Sequence, residues 1–133
     1  MIQIRGPTDI PDDTHPQLQA LLLLRTTQLR DGAAYDEDSH DLWLVQEGDT
    51  AELIEEEAGV FLVTNPFDGS RFGEEGFEPC FEWAESRTHC IEIIFALTDA
   101  CAVAIFIPRH PSTDPELIRF CDTYAAPVAV PSK

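Results

Sequence analysis

The sequence predicts an α+β fold: a mostly antiparallel sheet of about five or six strands, with two or three helices packed mainly on one face. Three observations point there. Residues Cys90 to Ile107 form the longest apolar stretch, and Thr98-Asp99 divides it into two β-branched halves of strand length. Three segments carry helix start or stop signals, the clearest being Asp114 followed by Pro115. The strand-like segments crowd late in the chain, and consecutive strands pair antiparallel. The order reads strand, helix, strand, helix, four strands, helix, within a single domain spanning 1–133. The alternative is a mixed sheet with helices on both faces.

Ile2 and Ile4 alternate as in a short first strand, which Gly6-Pro7 ends. Asp13 or Thr14 then caps a helix with Pro16 in its first turn, running to about Arg30 before Gly32. Leu18, Leu21, Leu22 and Leu29 share its apolar face, Leu24 widens that face, and Arg25 and Arg30 form the charged side. Leu42 to Gln46 reads as a strand. Asp49, with Glu52 three residues on, has capping-box spacing for a short helix with Leu53, Ile54 and Ala58 inward and Gly59 as its stop.

Val60 to Thr64 reads as a further strand, and Asn65-Pro66-Phe67-Asp68-Gly69 as a turn. The following loop carries Gly69, Gly73 and Gly76 with Phe67, Phe72 and Phe77. Phe81 to Glu85 alternates like a half-buried strand. In the last helix Leu117, Ile118, Cys121 and Tyr124 fall at helical spacing, Pro127 stops it, and the tail to Lys133 is expected to be loose.

The central hairpin contains a choice of register. Ile91, Ile93, Phe95 and Leu97 share one face of the first strand, and Val103, Ile105 and Ile107 share one face of the second. Asp99-Ala100 lacks the Asn-Gly or Asp-Gly of a two-residue primed turn. A loop of three or five residues is therefore expected, setting Ile93 across from Ile107 and Phe95 across from Ile105. The opposite face, with Glu92, Ile94, Ala96, Ala102, Ala104 and Phe106, is mixed, and its alanines leave room for a helix or a ligand to pack closely.

The 133 residues carry a formal net charge of -17 and a pI near 4.2. Such a surface repels nucleic acid and anionic membranes, which call for a basic footprint. It suits a basic protein partner, cations, or solubility alone. A hydrophobic fraction of 44% supplies a real core. Cys80, Cys90, Cys101 and Cys121 occur without a secretory signal, so reduced and mostly buried thiols in the cytoplasm are expected. The Leu21 to Leu24 run is too short to cross a membrane.

No catalytic signature is present. Asp36, Asp38, His40 and Glu47 match some positions of a calcium-binding EF-hand loop, but Asp41 stands where that loop needs glycine. The cysteines are singly spaced, unlike zinc ligands, and neighbouring His89 and Cys90 point to opposite faces of a strand. The glycine-rich loop lacks a phosphate-binding ending, and Glu74-Glu75 would repel a phosphate. A pairing of Cys90 or Cys101 with His89 or His110 for nucleophilic catalysis has no supporting motif. Catalytic, cofactor and metal residues are therefore left unassigned.

Glu55, Glu56 and Glu57 crowd the C-terminal half of their helix, the unfavourable end for negative charge. They form either a solvated face or a docking surface. Aromatic residues in the following loop either cover a core edge or present a recognition patch. The candidate partner-binding residues are Glu52, Glu55, Glu56, Glu57, Phe67, Arg71 and Phe72.

Four stretches carry a resemblance: Glu47-Gly48-Asp49-Thr50; Asn65-Pro66-Phe67-Asp68-Gly69-Ser70-Arg71-Phe72-Gly73; Phe81-Glu82-Trp83; and Ile107-Pro108 with Asp114-Pro115-Glu116-Leu117. From Asp49 to Ala125 the chain resembles small uncharacterised proteobacterial proteins often encoded near plasmid or integrative-element genes. Where those relatives carry Asp-Gly in the hairpin loop, this chain has Asp99-Ala100. The resemblance implies a bacterial accessory gene of mobile DNA and brings no activity with it.

The function expected on these grounds is that of a non-enzymatic module whose acidic surface meets a basic protein partner. Two alternatives are a mimic of DNA charge that blocks a nucleic-acid-binding enzyme, and an enzyme with an unrecognised pocket. A docking patch needs an apolar centre within a charged rim, whereas a mimic needs a continuous stripe of carboxylates.

Overall fold

A computed structural model of the chain describes residues 1–31, 40–81, 83–97, 102–124 and 126–127. Its elements are β1 (Ile2–Gln3), a 3-10 turn at Pro7–Asp9, α1 (Pro16–Asp31), β2 (His40–Leu44), α2 (Ala51–Ala58), β3 (Trp83–Ser86), β4 (Cys90–Leu97), β5 (Ala102–Pro108), α3 (Pro115–Tyr124) and β6 (Ala126–Pro127). One sheet takes the order β1-β2-β5-β4-β3-β6. Three pairings are antiparallel, while β2 with β5 and β3 with β6 are parallel. The α+β class and the mostly antiparallel sheet stand as expected.

Alternation along the strands sorts the core into two layers. Ile91, Ile93, Ile105 and Ile107 bury against Ala51 and Ile54 of α2 and Leu117, Phe120 and Cys121 of α3. Leu42, Leu44, Cys90, Ile94, Ala104 and Phe106 bury against Leu18 and Leu22 of α1. Two helices thus share one face, and α1 covers the other. The alanine-bearing face of the central hairpin is where α1 lies. Each fully buried aliphatic side chain contributes about 1.5–3 kcal/mol.

The hairpin register corrects the expectation in detail. Ile91 faces Ile107, Ile93 faces Ile105, and Ile94 faces Ala104. Large side chains do meet large ones, yet Ile93 does not face Ile107, nor Phe95 Ile105. A bulge between Ile94 and Ala96 shifts the register by one residue, so that Leu97 pairs with Ala102. Only four residues then separate the paired strand ends. An even loop alone would set Ile93 against Phe106 and Phe95 against Ala104, and the extra residue at the bulge brings Ile93 to Ile105 and Ile91 to Ile107. The conformation of the loop lies outside the described residues.

Three further elements differ from expectation. Val60 to Thr64 is not a strand. Gly59 ends α2 in the left-handed conformation (φ 70°), and Val60 N–H turns back to the Glu55 carbonyl. The segment then pairs locally, with Phe72 N–H on the Val63 carbonyl and a bridge from Thr64 to Arg71. The cap of α2 is Thr50, whose Oγ1 accepts from Leu53 N–H at 3.2 Å. Asp49 is buried instead, taking the Met1 amino group at 2.6 Å and Gln46 N–H at 2.7 Å. At α1 the residue before Pro16 is His15, whose Nδ1 accepts from Gln17 N–H at 3.1 Å. Within α1, Leu24 is exposed rather than part of the apolar face, and Leu29 lies outside the described side chains.

Candidate functional site

The expected partner-binding residues gather around α2 and the turn that follows it. Glu52, in the first turn of α2, meets Arg71 at 3.8 Å. Arg71 Nη1 donates to Thr64 Oγ1 at 3.2 Å, and that hydroxyl donates to Glu55 Oε1 at 3.2 Å. Arg71 N–H donates to Glu74 Oε1 at 2.5 Å. This chain of contacts fastens the base of the 64–71 turn to the carboxylates of α2.

Phe67 stands in that turn with 90% of its surface exposed. The turn itself is well bonded. Asn65 is buried; its Oδ1 accepts from Phe67 N–H at 2.9 Å, and its Nδ2 donates to the Glu78 carbonyl at 3.0 Å. Gly69, at φ 76°, returns its N–H to the Asn65 carbonyl at 2.8 Å. Asp68 accepts from the hydroxyl and N–H of Ser70, and those bonds hold its carboxyl below the usual range. Phe67 is therefore a large apolar side chain displayed by a fixed backbone.

Phe72 does something different. It packs edge-on against Phe120 at 4.9 Å and against Phe77 and Tyr124, while the Arg119 guanidinium sits 4.8 Å over its ring. The two readings of the phenylalanine-rich loop divide by residue: Phe72 and Phe77 cover the core edge, and Phe67 faces water.

A cleft of about 280 Å³ runs between α2, this turn and the start of α3, with Glu52, Arg71, Phe72, Asp114, Glu116 and Arg119 among its walls. The structure thus brings together Glu52, Arg71 and Phe72, with Glu55 joined through Thr64. Glu56 and Glu57 lie outside the cleft on the exposed side of α2, and Phe67 stands outside it as well. Sequence reasoning missed Asp114, Glu116 and Arg119 here. The i,i+3 spacing of Glu116 and Arg119, which pair at 2.5 Å, was the available signal.

A second concavity, of about 390 Å³, was not foreseen. Parallel β2 and β5 end side by side, and the chain after each of them lines it, as does His89 just before β4 and the lead-in to α1. It gathers His15, His89 and His110 from distant parts of the chain, with Asp13, Glu47 and Arg109. The His15 and His89 rings stack at 5.6 Å, 13° from parallel. His110 Nδ1 accepts from Ser112 N–H at 3.0 Å. His89 Nδ1 is buried without a hydrogen-bond partner among the described residues. Burial, then the nearby His15 and Arg87, lower the His89 pKa. Arg109 is committed elsewhere, donating to Asp122, Ser86 Oγ and the Arg87 carbonyl.

The described thiols of Cys80, Cys90 and Cys121 do not suit nucleophilic work. Burial pushes Cys90 up to about 12 and raises Cys121 and Cys80 as well, so the nucleophilic thiolate is scarce at neutral pH. Among the described residues no group of three His, Cys, Asp or Glu side chains is placed to hold a metal ion. Asp36 and Asp38 of the EF-hand reading lie outside the described residues, as does Cys101. No described helix is long and apolar enough to cross a membrane. No family model, curated protein or solved structure matches this chain.

Proposed function

We propose that the protein is a non-enzymatic binding module that docks a basic protein partner through α2 and the 64–71 turn. The observation that carries this reading is Phe67. Leaving a phenylalanine 90% exposed on a fixed turn forgoes the burial that aromatic side chains ordinarily gain. Its turn is fastened to α2 through Arg71 with Glu52 and Thr64 with Glu55, and on α2 the carboxylates of Glu52, Glu56 and Glu57 are exposed, as is half of Phe61 shortly after the helix. An apolar anchor with mainly acidic side chains around it, Arg71 being the exception, has the anatomy of a docking patch rather than of a phosphate-like stripe. The formal charge of -17 favours a basic partner and speeds its approach.

The compartment in this reading is the cytoplasm, in keeping with the free thiols of Cys80, Cys90 and Cys121. The gene would be an accessory of bacterial mobile DNA, which rests on the sequence resemblance alone. Affinity capture with the wild-type protein and with Phe67→Ser as parallel baits tests the proposal. Basic proteins should be retained by the wild type at about 0.1 M salt, released at higher salt, and depleted from the variant. Identical retained sets for the two baits would contradict it.

A further inference from the structure

His15 closes the start of α1. Its Nδ1 accepts Gln17 N–H, one of the first-turn donors that the helix cannot satisfy internally. An imidazole nitrogen accepts only while it carries no proton. The bond therefore requires that His15 Nδ1 carry no proton. His89 lies against it, ring to ring, with its own Nδ1 buried and unpartnered.

We propose that the His15–His89 stack is a proton-operated latch: neutral, it holds the first turn of α1 against the sheet beside the histidine-lined cavity; protonated, it releases that turn and opens the cavity.

Three effects act in the same direction. A proton on His15 Nδ1 abolishes the bond to Gln17 N–H and leaves the helix start uncapped. A positive charge there opposes the partial positive charge of the helix N-terminus. A second charge on His89 then repels the first across 5.6 Å. The other charged groups around the pair are Asp13 ahead of α1, Glu47 after β2, Arg87 ahead of β4, and Arg109 and His110 after β5. Asp13 and Glu47 are exposed, so water screens them, and Arg109 is neutralised by Asp122. Arg87 adds to the opposition, since its charge lowers the His89 pKa.

The sign follows. A histidine whose folded pKa lies below its ordinary 6.5 is protonated more readily in the released state. Closure is fully present above about pH 6.5 and is lost as pH falls through the lower folded value. Leu18 of α1 and Leu44 of β2 also line the cavity, so release uncovers part of the apolar layer beneath α1.

Amide hydrogen exchange, corrected for the intrinsic pH dependence of exchange, reads the latch directly. In the wild type, protection of the amides of Gln19 to Leu22 relative to Ile93 and Ile105 should fall between pH 7.5 and 5. His15→Asn keeps a capping acceptor that does not titrate, and its protection should fall less than that of the wild type over the same range, since only His89 still titrates there. Wild-type protection that does not change, or an equal loss in His15→Asn, overturns the proposal. Should that variant fail to fold, His89→Phe, which keeps a ring in the stack and removes its titrating group, should lose less protection than the wild type; an equal loss overturns the proposal.

Discussion

Arg25 of α1 grips Glu92 of β4 with two hydrogen bonds, Nε to Oε2 at 2.5 Å and Nη2 to Oε1 at 2.9 Å, and Glu92 is only 1% exposed. Arg87 approaches the same carboxylate at 3.3 Å while holding Glu85 at 2.6 Å. The Arg25 guanidinium also lies 5.9 Å from the centre of the Trp83 ring. The single helix described on this side of the sheet is thus fixed by a buried charge as well as by Leu18 and Leu22. Glu92→Gln removes the charge and leaves both arginines facing a neutral amide. It is expected to cost about 3 kcal/mol in urea unfolding. The double change Arg25→Met with Glu92→Leu, which removes both charges, should cost less than Glu92→Gln alone. A greater loss in the double variant would show that the pair itself, rather than an uncompensated charge, sets the energy.

Gly59 closes α2 at φ 70°, and a Cβ built there meets nothing within 4 Å. Any penalty for Gly59→Ala is therefore conformational. About 1 kcal/mol of stability should be lost, with no change in the core. A thermal melt unchanged from wild type would indicate that the chain leaves α2 by another route.

Cys90 and Cys121 should resist alkylation in the native state. Burial pushes the Cys90 thiol up to about 12, so little thiolate is present at pH 8, and the side chain is fully buried. Cys80, only partly buried, should react before either. Mass spectrometry after iodoacetamide treatment without reductant maps the adducts. Early labelling of Cys90, or an intramolecular disulfide, would contradict this account.

Residues 31 to 57 contain eleven Asp and Glu without one Lys or Arg. Their mutual repulsion lowers stability, and salt with a Debye length of about 10 Å at 0.1 M screens it. Sodium chloride should therefore raise the melting temperature over this range. A flat or falling melting temperature would mean that specific pairs such as Arg71 with Glu52 outweigh the repulsion.

Much of this fold was legible because local chemistry and tertiary demand agree. Asp114 accepts from Glu116 N–H and Pro115 opens α3, as their residue types dictate. Gly59 stops α2, and the isoleucines of the hairpin pair with one another. Illegible features depend on partners remote in sequence. Asp49 is a better cap than Thr50 by type, but its carboxylate is drawn to the Met1 amino group and to Gln46 N–H. Val60 to Thr64 has strand composition, yet the left-handed Gly59 turns the chain back on α2 and the segment pairs locally with Arg71 and Phe72 instead of joining the sheet. The hairpin bulge left no glycine to mark it. Of the docking residues, the exposed glutamates and Phe67 were readable as a charge run and an aromatic in a turn. The histidine cavity was not, because only the parallel pairing of β2 with β5 and the seating of α1 bring His15, His89 and His110 together.

The docking claim rests on Phe67 acting as an anchor on a turn that is tied to α2 and its exposed glutamates. Once a captured partner is purified, the decisive measurement is its dissociation constant for the wild type, for Phe67→Ser and for Glu56→Lys with Glu57→Lys. Because all three side chains are exposed, the variants should melt no lower than wild type by more than a degree or two. Phe67→Ser should weaken binding by at least about tenfold, as loss of an interface anchor does. The double charge reversal should weaken it further at low salt and less at high salt. Affinity for both variants within about twofold of wild type would contradict the account and leave this surface as a solvated face.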